Sequence, residues 1–269
     1  AKLIEHMTTD SQFHNYRSKV YWKNYLKLDG PTRPDFGMLK QYRQLEAEVG
    51  EFSKEVSPEA HLKVKNLCSK SDVLIYVFYL SCLQSLIYKY GGEGEIITIS
   101  GGLSTATGDS AAAHGNSLLI VKQNPQPDQT FKEFFVATKQ TVAESLNHQE
   151  VSIEDIFPDE VPQDICKLAF DIAGITAVSP ASERAPLALK AKEQTNGSLK
   201  LSLRYETALF DSKSIELFVE NLVSLVEGIE AQLYTPLSDM QVLSPADINL
   251  QNSFRQTAKP FDVFSVLVL

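Results

Sequence analysis

The chain has 269 residues, 43% of them hydrophobic and 22% charged, which are the proportions of a soluble globular protein with a substantial core. Its formal net charge is -9 and its isoelectric point about 5.1, with no cluster of lysines or arginines. That balance speaks against a phosphate-neutralising nucleic-acid surface and against binding to anionic membranes.

Cys68, Cys82 and Cys166 are widely spaced and form no Cys-x-x-Cys or Cys/His pair. This argues against a zinc site and fits a reducing, cytoplasmic setting. The longest apolar run, Val73–Leu80, is too short to span a bilayer, and Ser81, Gln84, Ser85 and Lys89 interrupt its continuation. The N-terminus lacks a signal-peptide pattern, and His6-Met7 reads as a cloning junction.

In chain order, Ser11–Leu26 reads as a helix whose apolar side is Tyr16, Val20 and Trp22/Tyr25, ended by Gly30-Pro31-Thr32-Arg33-Pro34. Glu51–Val56 reads as a short strand. Ser57-Pro58-Glu59 then supplies a cap, a proline suited to the first turn and a dipole-complementing acid for a helix to about Ser69. Ser71 or Asp72 caps a second helix, Val73–Tyr90, apolar on most faces and so expected to be buried, with Gly91-Gly92 as its stop. His14 and His61 fall on polar helices and are expected to be solvated.

Glu95–Ser100 is expected as a buried strand, Gly101–Gly115 as a Gly/Ala/Ser/Thr-rich loop, and Asn116–Lys122 as a second strand. Asp128 is the expected cap of a helix to about Leu146, with Phe131, Phe134/Phe135, Thr138, Val142 and Leu146 at helical spacing. Asn147–Ile156 closes that helix and opens a short one. Lys167–Val178 is apolar and strand-like. Leu187–Gln194 and Ser198–Glu206 alternate around Thr195-Asn196-Gly197, a hairpin signal. Asp211 caps a last helix to about Leu233, followed by a tail carrying Leu237, Met240, Val242 and Leu243. Helices and strands are interspersed with one clear hairpin, which points to an α+β fold with a mixed β-sheet covered by helices.

Asn147-His148-Gln149-Glu150-Val151-Ser152-Ile153-Glu154-Asp155-Ile156 resembles the His-Gln-Asp-x-Pro-Phe-Glu signature of nonribosomal peptide synthetase condensation domains, with Glu150 for Asp and Ser152-Ile153 for Pro-Phe. Other segments resemble that family in the right order. Tyr21-Trp22-Lys23-Asn24-Tyr25-Leu26 is similar to the Tyr/Phe-Trp-x-x-x-Leu helix that starts the family's C-terminal lobe, and Asp29–Pro34 to the linker after it. Ile97–Gly102 is similar to its strand and crossover. Asn116, Ser117 and Leu118 match Asn-Thr-Leu, and Leu168–Ile172, Leu201–Asp211 and Pro236–Leu243 resemble its closing elements. Gln163-Asp164-Ile165-Cys166-Lys167 keeps little of the family's Arg-Asp-x-Ser-Arg motif, and His114-Gly115 replaces Phe-Val. The catalytic His-His-x-x-x-Asp-Gly is not among these residues. His6 and Asp10 imitate its spacing, but Trp22 follows too closely and no glycine follows Asp10.

The resemblance implies a chloramphenicol-acetyltransferase-like lobe over residues 1–250, with 251–269 a linker toward the next synthetase domain. It implies acyl transfer from a donor thioester to an acceptor amine, both on phosphopantetheine arms of carrier proteins, with no cofactor bound directly. Implied partners are the N-terminal lobe that carries the catalytic histidine and the donor and acceptor carriers. Neither nucleic acid nor membrane is expected; self-association through an uncovered face is.

No catalytic residue is assigned. Ser100, Gly101, Gly102 and Asn116 are the substrate-channel candidates, because a glycine loop after a buried strand lets backbone approach a ligand closely. The rival reading is an ordinary strand connection. His148, Gln149 and Glu154 are read as structural, the first two hydrogen-bonding backbone at a helix end. Gly102-Leu103-Ser104-Thr105-Ala106 lacks the second glycine of a hydrolase elbow, and Gly91-Gly92-Glu93-Gly94 follows a helix where a dinucleotide loop follows a strand. Three readings stay open: half of a condensation enzyme, a non-catalytic docking module, and an acyltransferase made whole by self-association with His114 or His148 as base.

Overall fold

A computed structural model describes residues 16–26, 48–91, 94–103, 117–159, 161–162 and 165–242. Its elements are helix α1 (16–25), strand β1 (Val49–Val56), helices α2 (Pro58–Leu67) and α3 (Asp72–Gly91), and strands β2 (Ile96–Gly101) and β3 (Leu118–Gln123). Helices α4 (Phe131–Leu146) and α5 (Ile153–Ile156), strand β4 (Leu168–Ile172) and helix α6 (Pro180–Arg184) follow. Strands β5 (Leu187–Glu193) and β6 (Leu199–Glu206), helix α7 (Ser212–Gly228) and a 3-10 turn, Ile229–Gln232, complete the order. The strands form one mixed six-stranded sheet, β1-β6-β5-β4-β2-β3, covered by helices as the α+β reading expects. Its β2, β4 and β5 are parallel; the remaining neighbours are antiparallel.

Two apolar layers hold the sheet. On one face Phe170, Leu189, Leu201 and Leu203 pack with α2, α3, α4 and α7. On the other, Ile97, Ile99, Leu118 and Ile120 pack with Trp22 and Leu26 of α1, Ile153 and Ile156 of α5, and Ala181 of α6. Helix α3 is the spine of the first layer. By length and composition it is apolar enough to cross a membrane, but its residues from Ile75 to Tyr88 are buried in the protein core. Two of the polar residues that interrupt its apolar run find partners inside, Ser81 Oγ donating to Val77 O and Gln84 Nε2 to Thr98 Oγ1, while Gln84 Oε1 and Ser85 Oγ are buried with no hydrogen-bond partner among the described residues. A buried polar side chain with a partner costs little, so the helix runs on past Leu80.

The hairpin behaves as its residues require. Gln194 N–H donates to Ser198 O at 2.8 Å and Gly197 takes φ +84°, the left-handed conformation glycine adopts without a Cβ penalty. In β6, Leu199, Leu201, Leu203 and Tyr205 face the core while Lys200, Ser202, Arg204 and Glu206 lie half-buried on the other side. Ser57 caps α2 through Ala60 N, and Asp211 caps α7 through Ser214 N.

Some expectations are corrected. The buried side of α1 is Ser18, Trp22 and Leu26, not Tyr16 and Val20, which are exposed; those two stand two positions earlier, about 200° around the helix, on the face opposite the indole. Ser71, rather than Asp72, reaches the first turn of α3, accepting Leu74 N–H. Thr130, not Asp128, caps α4, because Thr130 and Glu133 form a reciprocal capping box. The apolar stretch after Cys166 yields only the five residues of β4 before a turn at Gly174, φ +87°. His14 lies outside the described residues.

His61 is buried rather than solvated. It shares a face of α2 with Ala60 and Val64, its Nδ1 shares a hydrogen bond with the Tyr79 hydroxyl at 2.8 Å, and its Nε2 is 3.7 Å from Glu193 of β5. Burial pulls its pKa down, opposed by Glu193, which Lys65 also grips. The unfolded chain therefore takes up a proton at His61 near pH 6.5 that the folded chain resists. Stability from this residue is present above pH 6.5 and lost as pH falls below it. The urea midpoint should drop between pH 7.5 and 5.5, and His61→Gln should flatten that drop; an equal drop in both proteins would place the titration elsewhere.

The edge strand β3 is closed rather than left as a template for pairing. Tyr25 Oη accepts Lys122 N–H at 2.8 Å and donates to Lys122 O at 3.2 Å. Ser145 Oγ donates to Ile120 O, and Leu118 N–H donates to Gln149 O. The residues that close this edge come from α1, α4 and the motif segment.

Candidate functional site

The motif begins where α4 runs out. Asn147 is the C-cap of α4, and the chain turns through His148 and Gln149 before Ser152 and Asp155 start α5 with a second capping box. In this turn the two motif residues face opposite ways. The His148 ring stacks on Tyr21 with centroids 3.9 Å apart, and its Nδ1 lies 3.2 Å from Ser18 Oγ. Its backbone carbonyl accepts the Trp22 indole N–H at 2.8 Å. The imidazole therefore addresses side chains of α1.

Gln149 is buried and points to the end of β2. Its Oε1 accepts Leu103 N–H at 2.9 Å, and its Nε2 donates to Leu103 O at 3.4 Å. One primary amide thus plays the part of a neighbouring strand for Leu103, which has run beyond the β2 ladder. Glu154 is the exposed member. It pairs with Arg184 of α6, whose guanidinium holds the carboxyl below its ordinary range. Exposed pairs of this kind contribute roughly 0.5 kcal/mol. Glu154→Ala should lower the unfolding free energy measured in urea by no more than that; a larger loss would show the pair to be structural.

The substrate-channel candidates from β2 are packed by protein. Ser100 is buried, its Oγ 2.8 Å from the Tyr76 hydroxyl of α3. Gly101 N–H donates to Asp171 Oδ1 of β4 at 2.9 Å. Burial pushes the Asp171 carboxyl above its ordinary value, and the bond from Gly101 opposes the shift. Gly102 donates to Ser117 O and accepts from Ala177 N–H. A Cβ on Gly101 would lie 1.9 Å from Ala177 O, and one on Gly102 would lie 2.5 Å from Ser117 Oγ. Both glycines are thus required by close approach, and the neighbours that approach are backbone and side chains of this chain. Asn116 lies outside the described residues, as do His114 and residues 104–115.

The structure therefore brings Ser100, Gly101, Gly102, His148 and Gln149 into one neighbourhood, at the carboxyl end of β2 beside β4. Parallel strands β2 and β4 pair only around Ile99 and Ala169 before Asp171 turns its side chain to Gly101. A shallow cleft opens nearby, lined by Leu118, Ser152, Ile153, Glu154, Ser179, Pro180 and Ala181. Asp171, Ala177 and Tyr76 were missed in the sequence. Only Asp171 left a signal, a lone acid inside the apolar run Leu168–Ile172.

Chemically this neighbourhood is a rigid frame of backbone amides and carbonyls. Among the described residues, no His, Cys, Asp or Glu group is arranged to hold a metal ion. The Cys68 and Cys166 thiols are each pushed up to about 11 by burial, so neither is a ready thiolate nucleophile near neutral pH. What such a frame can do is position something that carries its own reactive group.

No family model matches the chain. It is 23% identical over 275 residues to bacitracin synthase 3 of Bacillus licheniformis, a match that covers 91% of this chain and 4% of that protein. It spans no more than 10% of the length of the first curated relatives it matches. Its fold is shared with the condensation domain of the monacolin K polyketide synthase MokA, at a TM-score of 0.64 and 17% identity, over 87% of this chain and 61% of that one. It is equally shared with a teicoplanin-biosynthesis X-domain solved in complex with OxyB, at a TM-score of 0.64 and 15% identity, over 86% of this chain and 56% of that one. The sequence relatives are nonribosomal peptide synthetases, and the structures that share the fold are condensation domains.

Proposed function

We propose that residues 1–250 are the C-terminal lobe of a condensation domain, with 251–269 leading toward the next synthetase domain. The parent joins carrier-bound acyl and aminoacyl thioesters into an amide bond. The observation that supports a lobe, rather than a whole domain, is proportion. The chain is matched over 87% of its own length by 61% of a condensation-domain chain, and its sequence contains no adjacent histidine pair.

In this reading the catalytic base belongs to an N-terminal lobe, and this chain supplies one wall of the channel for the phosphopantetheine arms. The frame around Gly101, Gly102 and Gln149 then fixes that wall. Its part is positioning: a wall whose own backbone groups are already paired within the chain keeps its shape, so two delivered reactants can be lined up against it without reorganisation at the moment of reaction. The setting is cytoplasmic, where carriers and synthetases meet. The direct check is the sequence that precedes Ala1 in the parent gene. A His-His-x-x-x-Asp-Gly there supports the lobe, and its absence overturns it.

A second reading has its own support, because an X-domain of this fold has been solved in complex with a protein partner, OxyB. On that reading the chain is a docking module without transfer activity, and it should bind carriers while producing no amide. The lobe reading also carries an expectation of association, because a half-domain leaves its partner face uncovered. Sedimentation should show self-association that the N-terminal lobe suppresses; a monodisperse monomer at high concentration would contradict it.

A further inference from the structure

We infer that His148 and Gln149 form a two-sided bracket that makes the docking of α1 and the setting of the Gly101–Leu103 segment a single cooperative event. The inference does not depend on the proposed reaction. It rests on three sets of contacts that meet within two consecutive residues. On one side, the Trp22 indole donates to His148 O, while Tyr21 stacks on the His148 ring and Ser18 lies against its Nδ1. On the other side, the Gln149 side chain holds both backbone groups of Leu103. Between them, Gln149 O accepts Leu118 N–H, which ties the bracket to edge strand β3.

The geometry leaves little slack. Gln149 is buried, Gly102 would collide with its Oε1 at 2.9 Å if it carried a Cβ, and Trp22 is wholly buried beneath it in the second core layer. A turn cannot shift at His148 without moving the amide at Gln149. The element with two states is α1. It is docked when Trp22 and Leu26 fill that layer, and undocked when they leave it. Among the described residues, Gln149 is the partner of the Leu103 amide hydrogen, so that hydrogen reports the state of the bracket. A partner that grips or releases α1 would thereby tighten or loosen the exit of β2, and by reciprocity a ligand held at that exit would favour docked α1.

The test is residue-resolved amide hydrogen exchange on this chain and on Trp22→Phe, which keeps an aromatic core side chain and deletes the indole donor. One lost hydrogen bond should accelerate opening about fivefold. The expected result is that Leu103 and the amides of α1 accelerate by the same factor while Leu201 in β6 and Leu222 in α7 do not change. Faster exchange in α1 with Leu103 unchanged would overturn the inference. So would equal acceleration at Leu201 and Leu222, since the coupling would then be global unfolding. Lys19→Met is the second variant. It loosens α1 by breaking the Lys19–Asp155 ion pair at 2.9 Å without touching the core, and it should give the same pattern with a smaller factor.

Discussion

Gly101→Ala should be the most damaging single methyl this chain can receive. The added Cβ would sit 1.9 Å from Ala177 O and 2.7 Å from its carbonyl carbon, and both atoms are backbone. Relief cannot come from a side-chain rotation. It requires moving the segment around Ala177, whose N–H bonds Gly102 O at 2.9 Å and whose neighbour Thr176 bridges to Leu103. It also strains the Gly101 N–H bond to a carboxylate that burial already disfavours. Overpacking with backbone displacement and a lost buried bond is worth on the order of 3 kcal/mol or more. In a domain of this size that corresponds to a melting midpoint roughly 6–12 °C lower. Gly228→Ala is the matched control: it ends α7, nothing lies closer to its added Cβ than Gln232 Nε2 at 3.9 Å, and a neutral or slightly raised midpoint is expected. Equal midpoints for the two variants would mean that the Gly101–Ala177 contact is not as close as described.

Gln149→Leu should follow closely. Its volume is similar and its position is buried, so the core stays filled. What disappears is the side chain that, among the described residues, bonds both Leu103 N–H and C=O. A buried backbone group left without a partner costs about 1–3 kcal/mol, so the pair should cost roughly 2–6 kcal/mol. Chemical denaturation measures it, and Gln149→Glu separates the two bonds. The carboxylate keeps the acceptor for Leu103 N–H but places negative charge against Leu103 O, so its loss should be smaller than that of Gln149→Leu, though not zero, and greatest at high pH. A Gln149→Leu protein as stable as the parent would mean that Leu103 finds water or another partner, and the bracket would lose its second arm.

These two positions show what local pattern conveys and what it does not. The glycines after β2 and the break between α4 and α5 are readable from residues, because glycine and Ser152 with Asp155 act locally. The hairpin around Gly197 and the alternation of β6 are readable for the same reason. Sheet order is not local: that β4 lies between β5 and β2 depends on which apolar faces find each other, and no short window carries it. His61 was misread because its helix is polar on average, while the packing selects one narrow face with Ala60 and Val64. Asp128 is a good cap in isolation, but Thr130 wins because Glu133 answers it. For the candidate site, the sequence pointed to the glycines and the His-Gln pair but not to what they touch. Asp171 and Ala177 are some 70 residues away and become neighbours only through the parallel pairing of β2 with β4. Asn116, chosen from the same loop, lies outside the described residues.

The measurement that bears most directly on the account is a transfer assay. The chain is mixed with phosphopantetheinylated donor and acceptor carriers bearing simple aminoacyl thioesters, with and without a separately expressed N-terminal lobe, and products are read by intact mass. Acyl transfer to the acceptor carrier is expected only when that lobe is present. Product from this chain alone would contradict it and direct attention to His114 and His148, whereas carrier binding without product in either mixture would replace it with the docking module.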